Sequence, residues 1–157
     1  RRTSRSPPRE EEGKEKLPVY SCSLHCEAIF KQKMELSSPF DRAGVRKWVK
    51  AYAVLHGTLL KLHKPKLGGR PVGHYPGELI RHYTLQLAEV GTAADHKKRH
   101  FVIRLRVQTE QFLLSAERVA VFLDWLEALS ASVDLSPSLE ERSLSRYQTL
   151  PRRWQRR

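Results

Sequence analysis

RKWVKAYAVLHGTLLKLHK, residues 46–64, is two alternating runs around a His56-Gly57 turn. Val49, Ala51, Ala53 and Leu55 alternate with Trp48, Lys50, Tyr52 and Val54. A period of two puts these sets on opposite faces of a sheet. The spacing predicts a hairpin with strands at Trp48–Leu55 and Thr58–His63.

The same period extends upstream. Tyr20, Cys22, Leu24, Cys26, Ala28 and Phe30 recur at every second position and predict a long first strand, Tyr20–Met34. Lys31 and Lys33 fall on the opposite parity from Phe30. The Ser-Ser-Pro and Asp-Arg-Ala-Gly signals between Leu36 and Arg46 predict a loop. Residues 1–16 hold no large apolar side chain. They cannot bury enough surface to offset the entropy of ordering, and they read as a disordered charged linker.

Downstream, residues 64–78 are rich in Pro and Gly and predict an exposed loop without regular structure. Alternation returns at Arg81–Leu87. A short extended piece at Ala88–Thr92, or a turn over Ala88–Asp95, follows, then a basic turn at Lys97-Lys98-Arg99. Phe101, Ile103, Leu105 and Val107 mark a strand, and Gln108-Thr109 joins it tightly to Gln111–Ser115. The period then becomes helical: Val119, Phe122, Leu126, Leu129 and Val133 form a stripe, with Trp125 beside it. Ser115 is the expected N-cap, Glu117 the acid of the first turn, and Val133 the end. Residues 134–157 are an Arg-rich tail.

The chain of 157 residues suits one domain with its own core. Lys and Arg number 29 against 17 acids, which favours an anionic partner. No apolar run reaches the roughly 18 residues that mark a transmembrane helix. The start has no apolar signal region, lacks an initiator Met and reads as the edge of a piece from a longer protein. Cys22 and Cys26, on one strand, point to one face too far apart to bridge, and read as buried thiols of a reducing, cytoplasmic compartment.

These elements give an α+β class, mainly β: about six or seven antiparallel strands in two packed sheets, closed by a C-terminal helix. The domain is expected at 17–133, between the linker and the tail. Glu27-Ala28-Ile29-Phe30, Trp48 through Leu55, Leu60-Lys61-Leu62-His63-Lys64, Phe112-Leu113-Leu114-Ser115-Ala116 and Trp125-Leu126-Glu127-Ala128-Leu129 stand in an order and spacing that resemble the pleckstrin homology (PH) domain. PFDRAGVRKW, AEVGTAADHKKRHFVIRLRV and LPRRWQRR resemble PH domains of large filamentous-fungal proteins. The resemblance implies a PH-like barrel and a non-catalytic, membrane-targeting adaptor module.

No phosphate loop, carboxylate pair or nucleophile elbow is present in the sequence, so no enzyme or cofactor is expected. In Cys22-Ser23-Leu24-His25-Cys26, strand parity sets His25 opposite both cysteines, which spoils a tetrahedral metal site. The resemblance implies a headgroup pocket using a late first-strand lysine and a Lys-x-Arg pair just after the Trp. Here those positions hold Gln32, Val49 and Ala51. The outward face instead offers Lys31, Lys33 and Lys50, with Arg46 and Lys47 at the loop base and Lys97, Lys98 and Arg99 in the second loop. These eight form the expected atypical outer-face site for phosphoinositide or phosphatidylserine headgroups. Arg104 and Arg106 are expected to extend it or to pair with Glu110 and its neighbours. Solvated, edge-protecting charge is the bland alternative. A second function is a protein-interaction module for an acidic protein surface or other domains of the parent protein. Nucleic-acid binding through the basic tail is the weakest of the three, because Trp125 is expected to pack on the barrel and Trp48 to anchor a strand edge.

Overall fold

The computed structural model describes residues 22–68, 73–138 and 141, with the side chains of 73–75 left aside. Seven strands and one helix follow in order: β1 His25–Leu36, β2 Val49–His56, β3 Leu59–Gly68, β4 Gly73–Thr84, β5 Glu89–Thr92, β6 Val102–Val107, β7 Glu110–Ser115 and α1 Val119–Leu135. They form one antiparallel ladder in the order β4-β3-β2-β1-β7-β6-β5. The expected two layers are its halves. β1 pairs β2 over His25–Gln32 and β7 over Lys31–Leu36, so the two pairings overlap only at Lys31 and Gln32.

The halves close on a single core. Phe30, Leu55, Leu60, Leu62 and Tyr83 of one half meet Ile103, Leu105, Phe112 and Leu114 of the other, and α1 adds Trp125, Ala128 and Leu129. Trp125 meets Phe30 edge-on at 5.0 Å between ring centroids, so this indole does pack against the barrel. Edge-to-face contact sets the positive ring rim against the negative ring face.

Gly57 joins three elements. Its φ of +58° is open to glycine at little cost, and an added Cβ would stand 3.1 Å from Cys22 Sγ. Its N–H donates to Leu24 O at 2.8 Å, and its carbonyl accepts from Ser132 Oγ of α1 at 2.6 Å. The fully buried Ser132 hydroxyl thus docks the helix on the β2–β3 turn.

Four expectations need correction. The first strand begins at His25, so Cys22 precedes it and shares no strand with Cys26, while Tyr20 lies outside the described residues. Both thiols are half-buried rather than buried. The Pro/Gly-rich stretch is largely ladder, with Pro65 opposite Pro76 and Gly68 opposite Gly73. Beyond His63, β3 has no partner but β4, so both strands are edges there and each tolerates a residue without an N–H. The helix starts after Arg118, with no side-chain cap and no acid in its first turn. Ser115 is the buried end of β7, and Ala116 N–H still donates to Phe101 O at 2.9 Å. The chain is therefore held extended past the expected cap. The readings of residues 1–16, and of the tail beyond residue 141, lie outside the described residues.

Two substitutions test these constraints. Ser132→Ala is expected to lower stability by about 1 kcal/mol, measured as a lower denaturant midpoint at unchanged slope. Leu87 is 90% exposed and held at φ +58°. Leu87→Gly is expected to raise stability by roughly 0.5 kcal/mol, because it relieves a left-handed backbone without losing packing.

Candidate functional site

Strand parity splits the region into two faces. Gln32 stands opposite Val49 and Phe30 opposite Ala51, all on the inward side. Phe30 and Ala51 are sealed in, Val49 is 56% exposed, and the Gln32 amide donates to Met34 Sδ at 3.6 Å. No cation stands at Gln32, Val49 or Ala51, the three positions of the inner mouth. The outward side carries Lys31 opposite Lys50, and Lys33 opposite Leu113 of β7. Directly opposed side chains of like charge repel each other.

A small second cluster on this outer face organises the cations. Trp48 packs against Ala93, Val102 and Leu113. Arg99 Cζ stands 4.7 Å and Lys33 Nζ 5.8 Å from its ring centroid. The negative π-face holds each cation weakly, by about 0.5–1 kcal/mol where solvent reaches. His96 meets the same ring at 5.5 Å, and its buried Nε2 has no hydrogen-bond partner among the described residues. One indole thus gathers a lysine of β1 and an arginine of the β5–β6 loop.

Beside this cluster lies a cleft of about 580 Å³ lined by Lys33, Arg42, Arg46 and Gln111, with Glu35 in its wall. Glu35 would cancel part of the positive charge, but Arg104 claims it. The guanidinium donates to both Glu35 oxygens, at 2.9 and 3.0 Å, and to both Asp95 oxygens, at 2.7 and 2.9 Å. Gln111 Nε2 also donates to Glu35 at 2.7 Å. Burial alone would raise the Glu35 carboxyl, but the Arg104 and Gln111 hydrogen bonds outweigh it and hold the group below its usual value. The Arg104 bond holds Asp95 low in the same way. Arg104 therefore neither extends the patch nor pairs with Glu110. Arg106 pairs with Glu89 and donates twice to Gln111 Oε1, at 3.1 Å each, so it meets the neighbour of Glu110 rather than Glu110 itself. Glu110 instead takes Arg81 and the Tyr83 hydroxyl.

The cysteine–histidine motif comes apart. His25 Nδ1 faces His56 Nδ1 at 3.2 Å, and its Nε2 faces Glu27 at 3.1 Å. Burial, and then the charge of Asp124, push the Cys26 thiol up and away from the thiolate a metal would need.

A family model described as "PH domain" matches residues 24–134. This chain belongs to the PH-domain family. The PH domain-containing protein YHR131C of Saccharomyces cerevisiae is 38% identical over 75 residues, which is 48% of this chain but 9% of that protein. Among solved structures, the PH domain of ArhGAP27 superposes with a TM-score of 0.58 at 17% identity, covering 69% of this chain and 98% of that one. The C-terminal PH domain of human pleckstrin gives 0.51 at 11% identity, covering 72% and 81%. Identities this low speak for the fold alone. PH domains are modules of membrane and protein interaction, and in general non-catalytic.

In this PH domain Lys33, Arg46 and Arg99 converge on Trp48 and the adjoining cleft. Lys31 and Lys50 face one another a step away. Lys47, Lys97 and Lys98 are exposed neighbours of Trp48 and Arg99 in the chain. Sequence reasoning missed Arg42. It sits in an Asp-Arg-Ala-Gly run whose turn signal masks its role, and only the Leu36–Arg42 bridge turns it toward the cleft.

Glu35 and Asp95 are depressed in the folded state, so their contribution is full above the ordinary carboxylate range and is lost as pH falls through their folded values. Arg104→Met is expected to lower stability by about 2 kcal/mol at neutral pH. The gap to the unmutated domain should shrink in acid, below about pH 4, as read by chemical denaturation across pH.

Proposed function

We propose that this PH domain helps bring the protein that carries it to anionic membrane. It would do so by holding phosphate-bearing headgroups, phosphoinositide or phosphatidylserine, on its outer face. The supporting observation is a contrast in pairing. Lys64, Arg81, Arg104 and Arg106 each engage a carboxylate. Among the described residues, Lys31, Lys33, Arg46, Lys47, Lys50, Lys97, Lys98 and Arg99 engage none. Arg42, Lys61, Lys66 and Arg118 engage none either, so what distinguishes the outer face is that Lys31 stands opposite Lys50 while Lys33 and Arg99 share one indole; like charges held together without a counter-charge favour an external anion.

Each basic residue at an anionic leaflet contributes on the order of 1 kcal/mol. Such binding is weak, falls with salt and discriminates little between headgroups. The inner mouth, with Gln32, Val49 and Ala51, lacks the charge to coordinate a polyphosphate, which points headgroup contact outward. On this proposal the carrier is a peripheral protein of the cytoplasmic leaflet.

Sedimentation with vesicles tests it. The domain is expected to bind phosphatidylcholine vesicles that contain phosphoinositide or phosphatidylserine, and to bind less as salt is added. Lys31→Glu, Lys33→Glu and Lys50→Glu together should abolish binding with an unchanged circular dichroism spectrum. A triple variant that sediments like the unmutated domain rules out this face. Unmutated domain that ignores every anionic vesicle rules out the membrane, leaving an acidic protein surface as the partner to seek.

A further inference from the structure

His25 opens β1 and shares the outward parity of Lys31. At ~3.4 Å per antiparallel residue it lies about 20 Å from the Lys31–Lys50 pair, at the other end of the β1–β2 ladder. There it stands directly opposite His56. Both imidazoles are exposed, yet they turn to each other. Nδ1 meets Nδ1 at 3.2 Å, with the ring centroids 5.4 Å apart and the planes at 67°.

Glu27 fixes the chemistry of this pair. Its Oε1 lies 3.1 Å from His25 Nε2, and its Oε2 accepts the Tyr52 hydroxyl at 2.8 Å. A carboxylate at Nε2 draws the ring proton there and leaves Nδ1 of His25 as a lone pair. That lone pair can take a proton from His56 or a cation. Metal-binding imidazoles in proteins have this same outer partner, a carboxylate on the nitrogen that does not bind, which orients the ring and raises its basicity. The spacing fits as well. Zn–N bonds of about 2.0–2.1 Å at a tetrahedral angle set two nitrogens about 3.3–3.4 Å apart, and these stand at 3.2 Å. Val54, opposite Glu27, brings no opposing charge. A cation can replace the bridging proton with no net proton lost, since the His56 proton moves to that ring's own Nε2.

We propose that His25 and His56 form a two-imidazole chelate for a divalent transition cation, zinc foremost, with Glu27 as its positioning carboxylate. Among the described residues no group of three His, Cys, Asp or Glu ligands forms. Water therefore fills the remaining positions, and the metal is exchangeable rather than locked in a closed structural site. A bound cation clasps the first residue of β1 to the last of β2. It thereby tightens the hairpin end whose Gly57 carbonyl receives Ser132 of α1. The site does not depend on the membrane reading.

Calorimetric titration of the full chain, free of any affinity tag, with zinc chloride tests it. One site is expected. His25→Ala and His56→Ala should each abolish it, and because both side chains are exposed, neither opens the core. Glu27→Gln should keep the site but weaken it by about ten-fold. His82→Ala with His100→Ala, which removes two exposed imidazoles elsewhere, should change nothing. Zinc should raise the denaturant midpoint of the unmutated protein and leave that of His56→Ala where it is. Cupric ion should bind more tightly than zinc, and its electron paramagnetic resonance should show two imidazole nitrogens. A chain that takes up neither metal overturns the proposal. So does zinc binding that survives both single alanine variants, or a copper signal from one nitrogen. Unchanged affinity in Glu27→Gln overturns the positioning role.

Discussion

β1 has a neighbour on each edge, and the two neighbours share only Lys31 and Gln32. That offset is the constraint on which the rest of the structure depends. A strand fully flanked on both edges would lie in the middle of one flat sheet. Here β2 ends where β7 begins, so the ladder can fold over at β1 and enclose both sets of inward side chains in one core. Phe30 sits just before the crossover, sealed under Trp125, and α1 closes the opening that the fold leaves.

The crossover also sets the chemistry of the surface. Both edges of β1 are satisfied by backbone near Lys31, so parity alone decides which side chains reach solvent there. Gln32 and Met34 turn toward Leu114 and Phe112, while Lys31 and Lys33 turn outward. The outer face then needs an apolar floor of its own, and Trp48 with Ala93, Val102 and Leu113 supplies it. The same indole that covers this floor offers its π-face to Lys33 and Arg99. Arg104 completes the arrangement from beneath by occupying Glu35 and Asp95, which keeps two carboxylates from competing for those cations.

Much of this was legible in the chain because period-two alternation survives wherever one face is buried. Phe30, Ala51, Ala53, Leu55, Ile103 and Leu105 lie inward as their spacing requires, and so the outward turn of Lys31, Lys33 and Lys50 was legible too. The β3–β4 ribbon was not, because beyond His63 it runs as paired edge strands whose prolines look like chain breakers. Nor was the true start of α1, since Ser115 has the chemistry of a cap and the burial of a strand end. Arg104 was misjudged for a different reason: its partner Glu35 lies 69 positions away, beyond any local pattern. The cation–indole contacts share that character. They join chain segments that only the closed barrel brings together.

The late partner of β1 has one more consequence, which concerns the nascent chain. Gln111 meets Glu35 from 76 positions further along the sequence. At ribosomal speeds of about 5–20 residues per second, the C-terminal edge of β1 therefore waits roughly 4–15 seconds for β7 to be made. During that interval β2 can cover one side only as far as Gln32, while the other side presents open backbone groups to any passing strand. Lysine on such an edge discourages pairing with a second chain. Lys31 and Lys33 stand on that waiting stretch. Charge that faces solvent in the finished barrel therefore also lies on an edge left open until β7 is made.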